Sequence, residues 1–88
     1  MLYAAQFRAA RALLAWRQED LAKASKVGLA TIQRIEQGSG IAMANMSTLL
    51  RMQKALESAG IRFIDADQQG GPGLRYNTAK TTQATDGT

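Results

Sequence analysis

At 88 residues the chain is long enough for one domain, and a domain that small is marginally stable and gains from a partner. It has no cysteine and no histidine, which excludes a disulfide framework, soft-metal sites and histidine acid–base chemistry. Its formal net charge of +4, from 11 basic and 7 acidic residues, suits a nucleic-acid partner without singling one out, because many ordinary domains carry as much.

The basic residues are unevenly placed. Arg8, Arg11, Arg17, Lys23, Lys26 and Arg34 all precede residue 35, opposed there only by Glu19 and Asp20. No apolar run reaches the length of a signal peptide or a membrane span. The expected compartment is therefore the cytoplasm, with no membrane partner.

Residues 4 to 16 are rich in Ala, Leu and Arg, all good helix formers. Phe7, Ala10 and Leu14 recur at helical spacing and Trp16 follows, so the pattern predicts one amphipathic helix with Trp16 in the core. Gln18 to Ser25 reads as a second, short helix. Glu19 and Asp20 stand in its first turn, where the helix dipole favours negative charge, and Leu21, Ala22 and Ser25 face inward. Lys26-Val27-Gly28 is a tight connection. A third helix is expected from Leu29 to Gln37, buried along Ile32 and Ile35, capped by Gly28 and ended by Gly38, with Gly40 close behind.

Asn45 caps a fourth helix, from Met46 to about Ala59, with Leu49, Leu50, Met52, Gln53 and Leu56 as its inner stripe and Gly60 as its stop. Ile61 to Asp65 is strand-like, Gln69 to Gly73 is a turn, and Leu74 to Asn77 reads as a second short strand. The polar, Thr-rich stretch from 78 to 88 reads as a disordered tail. Gly70, Gly71 and Gly73 do not make a phosphate loop, because no Lys-Ser/Thr and no helix follow them.

Residues 18 to 38 carry the functional reading. They run QEDLAKASKVGLATIQRIEQG, two short helices around a three-residue turn. Leu21 and Ala22 anchor the first of these helices, Val27 plugs the turn, and Ile32 and Ile35 anchor the second. Small Ala22 lets the backbones approach, and one face of the third helix is left free for a DNA major groove.

The string resembles the Cro and phage-repressor helix-turn-helix family. That family's pattern of Q-E-x-L-A, a turn, then T-I-x-x-I-E-x-G is met by Gln18, Glu19, Leu21, Ala22, Thr31, Ile32, Ile35, Glu36 and Gly38. The resemblance covers residues 5 to 59. It implies an all-α, lambda-repressor-like domain of four to five helices, here with a short C-terminal strand or hairpin. The expected units are a helix-turn-helix domain at 1–60 with its motif at 18–37, a strand-turn-strand extension at 61–77, and the tail at 78–88. Two positions depart from the family. Lys26 stands where the turn usually begins with Gly, and Gly28 where the cap is usually Ser or Thr. The fold is expected to survive both, with a weaker start to the third helix.

The resemblance also implies roles. Gln18 would bond a backbone phosphate. The outer face of the third helix would be Leu29, Ala30, Gln33, Arg34 and Gln37, with base contacts at Leu29, Ala30 and Arg34 and with Gln33 beside them. Arg34 can donate two bonds to a guanine edge, Gln33 can meet adenine or a phosphate, and Leu29 and Ala30 can touch a thymine methyl. Arg17, Lys23 and Lys26 are candidate phosphate neighbours, which position without specifying. Arg11 and Glu36 match a family pair whose salt bridge joins the first and third helices, a structural role.

No carboxylate pair, nucleophile–base pair or metal constellation is visible, so neither an enzyme nor a cofactor is expected. Ile61, Phe63, Leu74 and Tyr76 remain as apolar residues beyond the helices. A lone two-stranded hairpin is marginal in water, so they need a surface. Leu13 and Leu14 on the first helix offer one, and a second copy of the chain offers another. The expected function is a sequence-specific DNA-binding transcriptional regulator, a small repressor bound to double-stranded DNA as a homodimer. The alternative is a protein-binding module of the same fold, antiactivator-like, that inhibits or tethers a partner regulatory protein. That alternative rests on the apolar opening Gly28-Leu29-Ala30.

Overall fold

The first helix, α1, spans Ala4–Leu14 and is held at its start by Gln6, whose side-chain oxygen accepts the Tyr3 N–H at 2.9 Å. It ends two residues short of the expected boundary. Ala15 turns left-handed at φ 56°, and Trp16 leaves the helix with its N–H bonded to Arg11 O at 2.8 Å. These coordinates come from a computed structural model that describes residues 1–78. Past Thr78, the expected tail lies outside the described residues.

Helix α2 spans Gln18–Ser25, and Asp20 in its first turn accepts the Arg17 N–H at 2.8 Å. It too closes on a left-handed residue that is not glycine, Lys26, at φ 60°. Such a conformation costs an L-residue roughly 1–2 kcal/mol. Buried Ser25 secures the turn: its hydroxyl donates to Leu21 O at 2.6 Å and accepts from Val27 N at 3.2 Å. Helix α3, Leu29–Gln37, starts at Gly28 without a side-chain cap. Gly38 ends it at φ −68°, an ordinary extended conformation, so the left-handed glycine expected there is Gly40 instead, at φ +76°. Helix α4, Met46–Ser58, is capped by the Asn45 side chain, which accepts from Thr48 N at 2.9 Å.

All four helices meet in one core. Phe7 and Ala10 come from α1, Leu21 from α2, Ile32 and Ile35 from α3, and Leu49, Met52 and Leu56 from α4, joined by Val27, Ala42 and Ile61. The α4 stripe is narrower than its periodicity suggests. Leu50 is exposed, and half-buried Gln53 donates to Glu57. Trp16 lies half-buried at the edge of this core rather than inside it, a consequence of its leaving α1.

Strands β1, Ile61–Ile64, and β2, Gly73–Tyr76, pair antiparallel with Ile61 opposite Tyr76 and Phe63 opposite Leu74. The hairpin lies on this chain's own helices, β1 against α4 and β2 against α1. The Phe63 ring meets the Phe7 ring at 5.8 Å between centroids, and Tyr76 OH donates to Leu13 O at 2.8 Å. Gln6 is the latch. It is buried, and its Nε2 donates to Ile64 O at 3.3 Å and to Gly73 O at 3.1 Å. One amide side chain thus joins the start of α1 to both strands.

Replacing Gln6 with Leu strands the Tyr3 N–H and two carbonyls, so the expected loss is about 1–3 kcal/mol of stability. Hydrogen exchange should then open the hairpin before the helices; unchanged hairpin protection would contradict the latch. Replacing Ala15 with Gly relieves the left-handed backbone and should raise stability by about 1 kcal/mol in thermal unfolding.

Candidate nucleic-acid interface

The 18–37 segment forms two helices joined by Lys26–Gly28, with Leu21, Ile32 and Ile35 buried beneath them. Turning those isoleucines inward leaves Ala30, Gln33, Arg34 and Gln37 exposed on α3. Among the described residues, the side chains of Gln33, Arg34 and Gln37 have no polar partner within the chain. Leu29 departs from the expected face. It is half-buried, because it stands one helical row from Ile32 and shares that flank.

Below the surface, α3 is tied to α1 by an ion pair. Arg11 Nη2 lies 2.7 Å from Glu36 Oε1, and Arg11 Nε bonds the two carboxylate oxygens at 3.1 and 2.9 Å. This fork geometry is the strong form of a charge-assisted bond. Glu36 is 3 % exposed, so its charge needs all the partners it has. Its hydrogen bonds hold the Arg11 guanidinium above its ordinary pKa, against the opposing effect of burial. Arg11 Nη1 also donates to Trp16 O at 3.0 Å, a second bond across the turn that closes α1.

Two neighbours complete the cluster. Gln18 Nε2 donates to Glu36 Oε1 at 3.2 Å, which orients this first residue of α2. Arg8 donates to the carbonyl oxygens of Glu36 and Gly38, placing a cation on the C-terminal end of α3, where the helix dipole favours it. Arg8, Arg11, Gln18, Gln33, Glu36 and Gln37 surround an open polar hollow of about 420 Å³. The fold therefore brings Gln18 and Gln33 to one place. Leu29, Ala30 and Arg34 are on α3 but outside that hollow, with exposed Arg17 and Lys26 at the two ends of α2. Arg17 is also 3.7 Å from Asp20.

Sequence reading singled out neither Arg8 nor Arg51 for a role. Arg51, on α4, donates to Lys26 O at 3.5 Å and adds an exposed cation beside the turn. Only the folded chain brings residues so far apart together. No group of three metal-ligating side chains occurs among the described residues, and no helix there is long and apolar enough to cross a membrane.

A short helix, a tight turn and a second helix with an open polar face define a DNA-binding helix-turn-helix regulator. The helix-turn-helix family model matches residues 7–59, more than half of the chain, and the protein belongs to that family, the Cro and C1 type. No curated protein and no solved structure matches it.

Removing one side of the buried pair isolates the other. Arg11→Met, which strands the buried Glu36 carboxylate, is expected to lose about 3–5 kcal/mol in urea unfolding, and adding Glu36→Ala should recover part of the loss. A single-variant loss within about 0.5 kcal/mol would place the pair among ordinary surface contacts.

Proposed function

We propose that the protein is a sequence-specific transcriptional regulator, a small cytoplasmic repressor that occludes a promoter by laying α3 in the major groove. The observation that carries this reading is the outer face of α3, where Gln33, Arg34 and Gln37 project without partners among the described residues. Buried isoleucines beneath and the Arg11–Glu36 bridge behind hold that face firmly. In this reading Arg34 takes the guanine edge, Gln33 an adenine edge or a phosphate, and Leu29 and Ala30 a thymine methyl.

Gln18, Arg17, Lys23 and Lys26 serve the phosphates. Gln18 keeps a second amide hydrogen for that purpose while the first stays on Glu36. Residues 1–60 are the reading domain around the 18–37 motif, and 61–77 an extension that braces α1 and α4. The function is binding alone, without catalysis. The exposed Gln33, Arg34 and Gln37 give this face polar and cationic groups suited to base edges and phosphates, which favours DNA over the protein-binding alternative.

The test is fluorescence anisotropy against the DNA upstream of the protein's own gene, with scrambled DNA beside it, at two salt concentrations. Arg34→Ala should relax sequence preference by about 1–3 kcal/mol. Lys26→Gly separates fold from function. It relieves a left-handed lysine, so thermal stability should rise, while affinity for every DNA falls and the salt slope drops by about one. Variants that bind both DNAs as the parent does would contradict the assignment. If Leu29→Asp abolished function while both basic variants were silent, the ligand would be a protein.

A further inference from the structure

The hairpin leaves one edge of β2 open, and the pairing register says which groups lie there. Asn77 N donates to Gly60 O at 2.8 Å, so these two residues continue the ladder as a hydrogen-bonded pair. Such pairs alternate along antiparallel strands. Arg75 with Arg62 and Gly73 with Ile64 therefore also turn their backbone groups toward each other. Leu74 and Tyr76 turn theirs away from β1. Among the described residues, nothing in the chain bonds these outward N–H and C=O groups. Beside that edge runs an open apolar groove of about 620 Å³, lined by Ala5, Ala9, Ala12 and Leu13 of α1 and by Pro72 and Leu74 of the hairpin. Leu13 O accepts the Tyr76 hydroxyl, and both residues are 38 % exposed.

We propose that the β2 edge and this groove are a docking site for an extended segment of a partner protein, one that alternates apolar and acidic side chains and adds to the sheet as a third strand. Three features assign that occupant. The first is the edge itself. Leu74 and Tyr76 can each exchange a pair of main-chain bonds with an antiparallel strand, and an extended backbone is what matches such a row.

The second is the alternation of faces. A side chain opposite Leu74 or Tyr76 points as theirs do, toward α1 and the apolar groove. The residue between those two lies opposite Arg75 and points to the solvent side. Apolar residues thus flank one polar position.

The third is charge. Arg75 stands directly opposite Arg62, both are exposed, and among the described residues neither guanidinium has a hydrogen-bond or ion-pair partner. Like charges directly opposite in a sheet repel. A carboxylate on the third strand supplies the missing counter-charge beside Arg75, in a form the guanidinium fork suits. A second copy of β2 would instead bring its own arginines to the same face. The 79–88 stretch has Asp86 as its one acid and no large apolar residue, so it lacks the alternation. The groove is lined from 3–13 and 72–74, apart from α2 and α3, so the proposal does not depend on what the outer face of α3 binds.

Hydrogen exchange and peptide titration of the full chain test the proposal. In the free chain the Leu74 and Tyr76 amides should exchange about tenfold faster than those of Arg75 and Asn77. A short peptide of alternating valine and glutamate, blocked at both ends, should bind saturably and slow the Leu74 and Tyr76 amides about tenfold. The same residues with the valines grouped at one end should bind about tenfold more weakly. Arg75→Glu should weaken the alternating peptide about tenfold and favour its lysine counterpart. The new carboxylate faces Arg62, so the melting temperature should hold or rise. Ala9→Glu is an independent second variant, which places a charge in the groove from an exposed helix position and should weaken the peptide likewise.

Leu74 and Tyr76 amides already protected in the dilute free chain would assign the edge to the chain's own 79–88 stretch. Protection that arises only at high protein concentration would assign it to a second copy. Either result overturns the proposal. So would a peptide that fails to bind, that binds regardless of alternation, or that binds Arg75→Glu as it binds the parent.

Discussion

The presentation of α3 depends on a buried ion pair. Arg11 and Glu36 come from different helices, and together they fix α3 against α1. Burying two charges is expensive, so such a pair persists only when geometry is good and the remaining lone pairs and protons are occupied. Both conditions are met here. The bond is forked, Gln18 takes up a carboxylate oxygen, and the Trp16 carbonyl takes a guanidinium hydrogen. A greasy contact in the same place would slide; directional bonds set an angle and a register. The outer face of α3 inherits its orientation from bonds made behind it.

The hairpin extends the same logic to the far side of α1. Phe63 and Ile61 continue the helical core, while Gln6 supplies the directional bonds that say where the strands stop. Helix α1 is thus a spine with α3 bonded along one flank through Arg8 and Arg11 and the hairpin along the other through Gln6 and Leu13. Two left-handed residues, Ala15 and Lys26, are the local strain accepted for the tight turns on either side of α2. At Lys26 a glycine would relieve the strain but give up an exposed cation at the turn between α2 and α3.

Most of the helical architecture is legible in the sequence. Apolar spacing places α2 and α3 to the residue, and Asn45 marks the start of α4 through a cap that acts within three residues. Part of what escapes the sequence depends on distant partners. Gln6 looks like a surface glutamine until two strand carbonyls arrive from more than fifty residues away. Trp16 reads as the last turn of a core helix because nothing local reveals that Arg11 will bond its carbonyl. Gly38 invites a left-handed reading, yet the chain makes that turn at Gly40, where the loop meets the N-terminal residues. The exposure of Ala30, Gln33, Arg34 and Gln37 on α3 is legible in the apolar spacing, while the half-burial of Leu29, a row-mate of Ile32, is not.

The central claim is that the outer face of α3, held by the α1–α3 bridge, is the surface that meets DNA. Amide chemical-shift mapping during titration with a duplex from upstream of the protein's own gene tests it residue by residue. The account predicts that the largest shifts fall on 29–37 and on Gln18 and Lys26, with the hairpin and the outer side of α1 nearly still. Shifts centred on α1 and the hairpin, with α3 unmoved, would contradict it.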